Sequence, residues 1–330
     1  MGYALKRKGG FTLKGLKKVF FILIVVTLMA GLFYRFLSAP GVTETTEFLF
    51  DTPCSIKVYS KAKNDAVKKA FQEVARIHRL SDFFSDSSDV SKINRAKSGE
   101  SVLVDPHIIE MISLSKEVSA LSDGAFDITI APLSTLWKFD EETPVPPNSL
   151  EIDAALSLIG RDRLLIDSEA STVTKDFSET RIDLGGVAKG YAEDIAARIL
   201  TENGVSSFIL DFGGNIKTCG KNPTTKNGLW RVGLQKPFAP TGEYSKVIEV
   251  LDKAVATSGT YQRNFTFNGT LYHHIIDPAS GFPAVQDFES VTVTLESSAL
   301  ADCLSTAVYV LGKEKGLLLL EKFGATAEFL

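Results

Sequence analysis

Cysteine and histidine are scarce in this sequence, which excludes several kinds of site. The three cysteines, Cys54, Cys219 and Cys303, lie far apart and form no C-x-x-C pair, so the chain contains no zinc or redox motif of that type. Cys54 and Cys219 could still form a disulfide in an oxidising compartment. Only His273 and His274 are adjacent among the four histidines. Neighbours on a strand point to opposite faces, so a histidine-ligated metal is not expected.

Acidic residues are absent before Glu44, whereas seven basic residues precede it. With those seven set aside, 29 Lys and Arg residues remain against 40 Asp and Glu residues, a net charge of −11. Nucleic-acid binding depends on neutralising phosphates, so this balance disfavours nucleic acid as a partner. Internal repeats and low-complexity segments are also absent, and the composition is that of an ordinary globular chain.

Charged residues are missing from Val19–Phe33, VFFILIVVTLMAGLF, which follows a basic flank. Such a run is either a signal-peptide core or a short membrane anchor. The segment Leu37–Ala39 is only a weak cleavage site, and no cysteine follows for lipid attachment. We therefore favour a retained anchor over a buried helix of the fold. The basic flank should stay in the cytoplasm, which predicts an inner-membrane protein with a periplasmic body. Residues 1–38 are then the basic region and anchor or signal, 39–46 a linker, and 47–330 one folded domain.

The stretch Arg181–Asp194, RIDLGGVAKGYAED, predicts a short strand, a glycine turn and the start of a helix. Apolar residues recur at helical spacing over Val187–Leu200. Gly185 and Gly186 carry no Cβ, so the backbone can turn sharply and approach another group closely. A helix start attracts anions, and Lys189 in the first turn can reach the same anion. The sequence is not a dinucleotide fingerprint, because G-x-G-x-x-G is absent. A strand–helix turn with a surface lysine is the alternative.

Helices and strands are interspersed without regular βαβ alternation, which favours the α+β class with mixed or antiparallel sheets and packed helices. The segment Gly124–Trp137 has a strand pattern broken by Pro132, which suggests a loop near a site, although packing alone would also explain it. Helical spacing is found over 64–84, 106–122 and 149–159. Strand or hairpin patterns are found over 47–59, 164–174, 207–220, 230–235, 246–250 and 290–295.

A last helix is expected between a serine cap at position 297 or 298 and a stop at Gly312. It carries Asp302 and Thr306 four residues apart, which places a carboxylate and a hydroxyl on one face, one turn apart. Both are hard oxygen donors, the kind that holds Mg²⁺ rather than zinc. The alternative is a buried aspartate bonded to backbone, because the surrounding helix positions are apolar.

Five segments occur in the order seen in the ApbE family of FAD:protein FMN transferases: DLGGVAKGYA, LDFGGN, TSGTY, HHIIDPASGFP and ADCLSTA. The segment GAFDITIAPLSTLW resembles the upstream part of that family, and the resemblance runs from about Thr46 to the last residue. Each motif is weak alone, but their order is specific. The resemblance implies an extracytoplasmic enzyme that binds FAD with Mg²⁺. It transfers the FMN half to a threonine hydroxyl of an acceptor flavoprotein and releases AMP.

The same resemblance assigns site residues by position. It implies metal ligands at Asp302, at Thr306 and at the backbone oxygen of Gly186, where many relatives have alanine. His274 matches the residue that assists the attacking hydroxyl, so His274 and Asp302 are the expected catalytic residues. A strand histidine bonded to backbone is the alternative for His274. The positions that match contacts to the flavin nucleotide are Asp127, Lys189 and Ile276.

The sequence departs from the family pattern in two ways. Many relatives carry a lipoprotein cysteine, which is missing here, so we expect the apolar segment to replace it. Relatives also continue through another strand or two after the position of Leu330, so either the sequence stops short or the last sheet strand is missing.

The chain could instead be an FAD pyrophosphatase, with water replacing threonine, or a flavin-binding carrier without turnover. The presence of Asp302, Thr306 and Lys189 argues against a carrier.

Overall fold

The computed structural model describes residues 20–22, 24–29, 41–60, 63–139 and 141–330. The chain divides into two units, residues 1–41 and 42–330. In the first unit, residues 20–22 and 24–29 are helical and exposed. The predicted apolar segment Val19–Phe33 lies partly outside the described residues, so the anchor stays a prediction. Within the described ranges, no helix combines the length and the apolar character that a membrane crossing requires.

The second unit contains a large sheet, three smaller sheets and packed helices. Its strands are β1 (Thr43–Leu49), β2 (Thr52–Val58), β3 (Ser101–Leu103), β4 (Leu164–Asp167), β5 (Thr172–Lys175), β6 (Phe208–Phe212), β7 (Asn215–Cys219), β8 (Trp230–Gln235), β9 (Tyr244–Val250), β10 (Ala254–Gly259), β11 (Asn264–Phe267), β12 (Thr270–His273), β13 (Ser290–Leu295) and β14 (Thr326–Phe329). Its helices are α1 (Asn64–Ser81), α2 (Asp89–Arg95), α3 (Pro106–Leu121), α4 (Ala131–Trp137), α5 (Ser149–Leu156), α6 (Ala188–Glu202) and α7 (Ser298–Phe323).

The large sheet has the order β1-β2-β6-β7-β10-β13-β14, and every neighbouring pair in it is antiparallel. Strands β3, β5 and β4 form a second antiparallel sheet, and β8–β9 and β11–β12 are separate hairpins. The α+β class is therefore confirmed, with antiparallel sheets.

One face of the large sheet forms the main core with α1, α6 and α7. Alternate strand residues point to that face, which buries Cys54 and Ile56 of β2 together with Leu210 and Phe212 of β6. The opposite face meets the β8–β9 hairpin through a smaller cluster around Trp230. A third cluster joins α4 and α5. Helices α1, α6 and α7 thus pack on one face of the sheet, and the candidate site is built between α6 and α7.

Most predicted elements agree with the structure. The helices expected from residues 64, 106 and 149 begin at those residues, as α1, α3 and α5. The hairpins predicted over 47–59, 164–174 and 207–220 are β1–β2, β4–β5 and β6–β7. Strand β1, however, begins at Thr43, inside the segment predicted to be a linker.

Two predicted strands are absent from the described chain. Gly124–Trp137 forms a short 3₁₀ turn and then α4, because Pro132 stands in the first turn of a helix, where its missing N–H breaks no helical hydrogen bond. The segment before the glycine pair belongs to no strand. There the N–H of Ile182 donates to Oδ1 of Asn94 (2.7 Å), and the N–H of Asp183 donates to the carbonyl of Ile128 (2.8 Å). A side chain and a loop thus satisfy the backbone in place of a partner strand.

The last helix and the cysteines also differ in part from expectation. Ser297 caps α7 as predicted, but the helix resumes after a left-handed break at Gly312 (φ 77°). Cys54 and Cys219 are free thiols opposite Phe212 and Phe208, at the two ends of β6. A separation of four strand residues is about 13 Å. A disulfide needs Cα atoms within about 7 Å, so that alternative is wrong.

Candidate active site

Helices α6 and α7 meet at a close contact between Gly190 and Ser298. A Cβ on Gly190 would lie 2.2 Å from the carbonyl oxygen of Ser298, so only glycine fits there. Each helix also caps the first turn of the other. Oδ2 of Asp302 accepts the N–H of Gly190 (3.1 Å), while Asp194 accepts the N–H groups of Ser298 (2.9 Å) and Ala299 (3.0 Å). First-turn donors have no partner within their own helix, so these reciprocal caps join the helices and place Asp302 at the start of α6.

Asp302 is buried, with 7% of its surface exposed, and only one of its oxygens is engaged. The bond to Gly190 is the backbone contact that the alternative interpretation predicted. Oδ1 receives no hydrogen bond from any described residue. One turn further along α7, the hydroxyl of Thr306 lies 3.2 Å from that of Ser258. The joint therefore presents a carboxylate oxygen and a hydroxyl on one helix face.

These donors fit a hard cation bound by few protein ligands. Within the described part of the chain, no group of three His, Cys, Asp or Glu side chains is placed to hold a metal ion. A cation at this joint would combine the single carboxylate of Asp302 with neutral oxygens. Magnesium suits such a set, because it keeps several waters and shares substrate phosphate oxygens.

The glycine pair forms the turn that leads into α6. The N–H of Gly185 donates to Oδ1 of Asp183 (2.8 Å), and a Cβ on Gly186 would lie 3.0 Å from the ring of Phe126. Lys189 is half-buried in the first turn of α6, with its Nζ 3.4 Å from the carbonyl of Gly185. The structure thus brings Gly186 and Lys189 to the same helix start that Asp302 caps.

Four ionisable side chains interact beside this turn: Asp183, Lys189, Arg263 and His274. Burial raises the pKa of Asp183, while the N–H of Gly185 and the charges of Arg263 and Lys189 oppose the rise. Burial lowers the pKa of His274 to about 4, and the positive charges of Arg263 and Lys189 act in the same direction. Its Nδ1 lies 3.2 Å from the carbonyl of Arg263. His274 is therefore a neutral imidazole near two cations at pH 7.

Asp127 and Ile276 have structural partners of their own. Oδ1 of Asp127 accepts both the N–H (2.8 Å) and the hydroxyl (2.7 Å) of Thr129. Burial raises the pKa of Asp127, and those two bonds oppose the rise. The carbonyl of the next residue, Ile128, bonds to Asp183, so Asp127 lies at the edge of the site. Ile276 is buried in the small core of α4 and α5. Their contacts to a nucleotide stay predictions.

Three acidic residues of the site were not identified from the sequence: Asp183, Glu193 and Asp194. For Glu193 and Asp194 the bonded partner is distant in the chain; both bond to Ser298, 105 and 104 positions away. Glu193 is fully buried, with Oε2 accepting the hydroxyl of Ser298 and Oε1 unpartnered within the described residues. Burial raises the pKa of Glu193 well above its ordinary value, and the hydroxyl of Ser298 opposes the rise. Glu193 follows Gly190 by three residues, which places both on the same face of α6. That spacing is the signal in the sequence that could have identified Glu193 as part of the site.

A shallow cleft of about 380 Å³ opens between α3 and the α6–α7 joint, lined in part by Glu110, Tyr191, Asp194 and Arg198. It contains none of the predicted site residues. The candidate site is therefore defined by its convergent polar groups and not by this cleft.

Comparison with solved structures gives the class of protein to which this fold and site belong. The ApbE protein from Thermotoga maritima superposes with a TM-score of 0.79 at 33% identity, covering 88% of this chain and 94% of that chain. The flavin transferase ApbE from Vibrio cholerae gives a TM-score of 0.76 at 27% identity, covering 88% of this chain and 94% of that chain. The second unit is an ApbE-like α+β fold.

The sequence comparisons then give the family. The ApbE family model matches residues 50–330. A curated relative from Vibrio cholerae serotype O1, named FAD:protein FMN transferase, is 33% identical over 265 residues, covering 79% of this chain and 77% of the relative. One of the same name from Treponema pallidum is 30% identical over 300 residues, covering 86% and 83%. The chain belongs to the ApbE family.

Proposed function

We propose that this protein is an FAD:protein FMN transferase, which moves the FMN moiety of FAD to a threonine hydroxyl of an acceptor flavoprotein and releases AMP. Its membership of the ApbE family, with relatives of that name over most of its length, is the observation that carries the proposal. The site chemistry supports it. A carboxylate, a hydroxyl, a lysine and a neutral histidine are the groups that phosphoryl transfer uses for positioning, charge neutralisation and proton removal.

The open carboxylate oxygen at the α6–α7 joint fits Mg²⁺. Asp302 and Thr306 would hold the ion through their side chains, and Gly186 through its carbonyl. Three protein oxygens leave positions for phosphate oxygens and water, as is usual for this ion. When bound, Mg²⁺ supplies positive charge that orients the pyrophosphate and offsets charge on the leaving AMP.

The protein's own side chains account for the remaining requirements of the reaction. A bond forms between the threonine Oγ and the phosphorus of FMN, and the bond from that phosphorus to the bridging oxygen breaks, so AMP leaves with the oxygen. His274 is neutral at pH 7 and can accept the threonine proton. Lys189, in the first turn of α6, can donate a charge-assisted hydrogen bond to a phosphate. Asp127 lies beside the turn and is available to the flavin nucleotide.

We also propose that the N-terminal segment anchors the protein in the inner membrane with residues 47–330 in the periplasm. The basic flank before an uncharged run supports this orientation. Protease added to intact spheroplasts should digest the folded domain. Protection that persists until the membrane is lysed would contradict the orientation.

Product analysis with and without an acceptor separates transfer from hydrolysis. The purified protein is incubated with FAD and Mg²⁺, and AMP and free FMN are quantified. A transferase releases AMP in amounts that match the FMN attached to the acceptor, and little free FMN appears. Equal amounts of free FMN and AMP, independent of the acceptor, would indicate the pyrophosphatase. FAD binding without either product would indicate the carrier.

A further inference from the structure

Asp194 is the side chain through which α6 holds the first turn of α7. Oδ1 accepts the N–H of Ser298 (2.9 Å), and Oδ2 accepts the N–H of Ala299 (3.0 Å) and the hydroxyl of Ser297 (2.7 Å). Lys217 on β7 donates to Oδ1 (3.0 Å) and also to the carbonyl of Glu296. Both oxygens of one carboxylate are thus used to fix where α7 begins.

The position of α7 determines where Asp302 lies. Asp302 follows Ser298 by four residues, about 6 Å along the helix axis and on the same face. A slip of α7 by one residue would move Asp302 by about 1.5 Å along the axis and rotate it by roughly 100°. Its bond to the N–H of Gly190 would then break. The cap at Asp194 and the close packing of Gly190 together fix this register.

We propose that Asp194 is a positioning residue for the reaction, which holds Asp302 and Thr306 where they can bind the metal ion. This inference rests on the proposed function. Both oxygens of Asp194 are taken up by the start of α7 and by Lys217, so its role is to act through α7 and not to bind substrate or metal itself. The neighbouring Glu193 differs, because among the described residues its side chain bonds to the hydroxyl of Ser298 and to no backbone N–H of α7.

Asp194→Asn is the test variant, because it keeps the size but places an amide N–H₂ among N–H and ammonium donors. The probe is Mn²⁺ alone, a paramagnetic substitute for Mg²⁺, with binding measured by electron paramagnetic resonance. We expect the dissociation constant for Mn²⁺ to rise about tenfold, as when an outer partner of a metal site is lost. The Mg²⁺ concentration for half-maximal transfer should rise in parallel. The KM for FAD at saturating Mg²⁺ should change by less than about threefold. This readout distinguishes a displaced metal site, which affects Mg²⁺ binding, from a disturbed fold, which would also affect FAD binding.

Asp167→Asn is the matched control. Asp167 likewise accepts two backbone N–H groups, from Glu169 (3.0 Å) and Ala170 (2.8 Å), but in the β4–β5 turn. We expect it to leave the Mn²⁺ dissociation constant unchanged. Should Asp194→Asn fail to fold, Ser297→Ala removes one of its contacts, and a two- to fivefold weakening of Mn²⁺ binding is then expected.

The outcomes separate the inference from the function on which it rests. The positioning role is overturned if the folded Asp194→Asn variant binds Mn²⁺ with unchanged affinity. If Asp194→Asn does not fold, unchanged affinity in Ser297→Ala overturns it in the same way. In either case, FMN transfer by the wild type leaves the proposed function standing. A wild type that transfers FMN without a divalent ion, and binds no Mn²⁺, removes the metal site and the inference with it. A wild type that binds Mn²⁺ but transfers no FMN contradicts the proposed function alone.

Discussion

Gly190→Ala tests whether the contact between α6 and α7 has the closeness that the site requires. The added Cβ would lie 2.2 Å from the carbonyl oxygen of Ser298, more than 1 Å inside the ordinary contact distance of 3.4 Å. The neighbouring atoms are backbone, so no side chain can rotate away. The two helices would have to separate by about 1 Å.

Inserting a methyl group into a packed interior costs roughly 1–3 kcal/mol, and a clash with backbone belongs at the upper end of that range. A loss of about 3 kcal/mol lowers the melting temperature by roughly 6–12 °C for a domain of this size. Separation of the helices would also lengthen the bond from Gly190 to Asp302. A displacement of 1 Å at a reacting centre costs about 100-fold in rate, so turnover should fall even at temperatures where the variant is folded.

The assay is thermal unfolding by circular dichroism, followed by FMN transfer at 25 °C. Gly160→Ala is the matched control, because its Cβ would meet only the flexible side chain of Arg163, at 3.2 Å. It should melt within about 2 °C of wild type, well inside the shift expected for a backbone clash. A melting temperature and turnover of Gly190→Ala equal to those of Gly160→Ala would refute the reasoning.

The further predictions concern four other residues of the site and its support. Lys189→Ala should weaken FAD binding by about 1–3 kcal/mol, the value of a charge-assisted hydrogen bond, as measured by calorimetry. His274→Ala should lower turnover about 10²–10⁴-fold with FAD affinity intact. The pKa of His274 in the folded protein is about 4, below its ordinary value, so kcat/KM should fall only as the pH drops through about 4. The free energy of unfolding should decrease as the pH falls from about 6.5 to 4, because over that range the unfolded chain binds the proton and the folded protein does not. Asp302→Asn should fold normally, need far more Mg²⁺ for half-saturation and lose most activity; a Mg²⁺ titration with equal half-saturation and plateau would exclude it as a ligand. Lys175→Met should cost at least about 3 kcal/mol in urea unfolding, because the buried Lys175 donates to three backbone carbonyls that would lose their partner.

The elements that could be predicted from the sequence are those that local patterns determine. Amphipathic spacing located α1 and α3, and alternation with glycine turns located the β6–β7 hairpin. The segment before Gly185 is a strand in the sequence-based prediction, but its backbone partners, Asn94 and Ile128, are supplied by distant parts of the chain that a local pattern does not reveal.

The sequence predicts those residues of the candidate site that lie together in one helix or one motif. The spacing on α7 indicates Asp302 and Thr306 as candidates, and the helix start indicates Lys189, while the resemblance to the family gives them their expected roles. The cap that Asp194 places on α7 could not be predicted, because it depends on how two helices separated by about a hundred residues cross. The requirement for glycine at position 190 has the same origin, since only the tertiary contact with Ser298 reveals it.

Intact-mass spectrometry of an acceptor protein tests the central claim most directly. The acceptor should be an apoflavoprotein that the Vibrio cholerae relative labels in the same assay, so that a negative result is meaningful. After incubation with this protein, FAD and Mg²⁺, we predict a mass increase of one FMN less water, located on a threonine by fragmentation and absent with Asp302→Asn. An acceptor that stays unlabelled by this protein, while the relative labels it and FAD is either intact or hydrolysed to free FMN, would contradict the proposed FMN transfer.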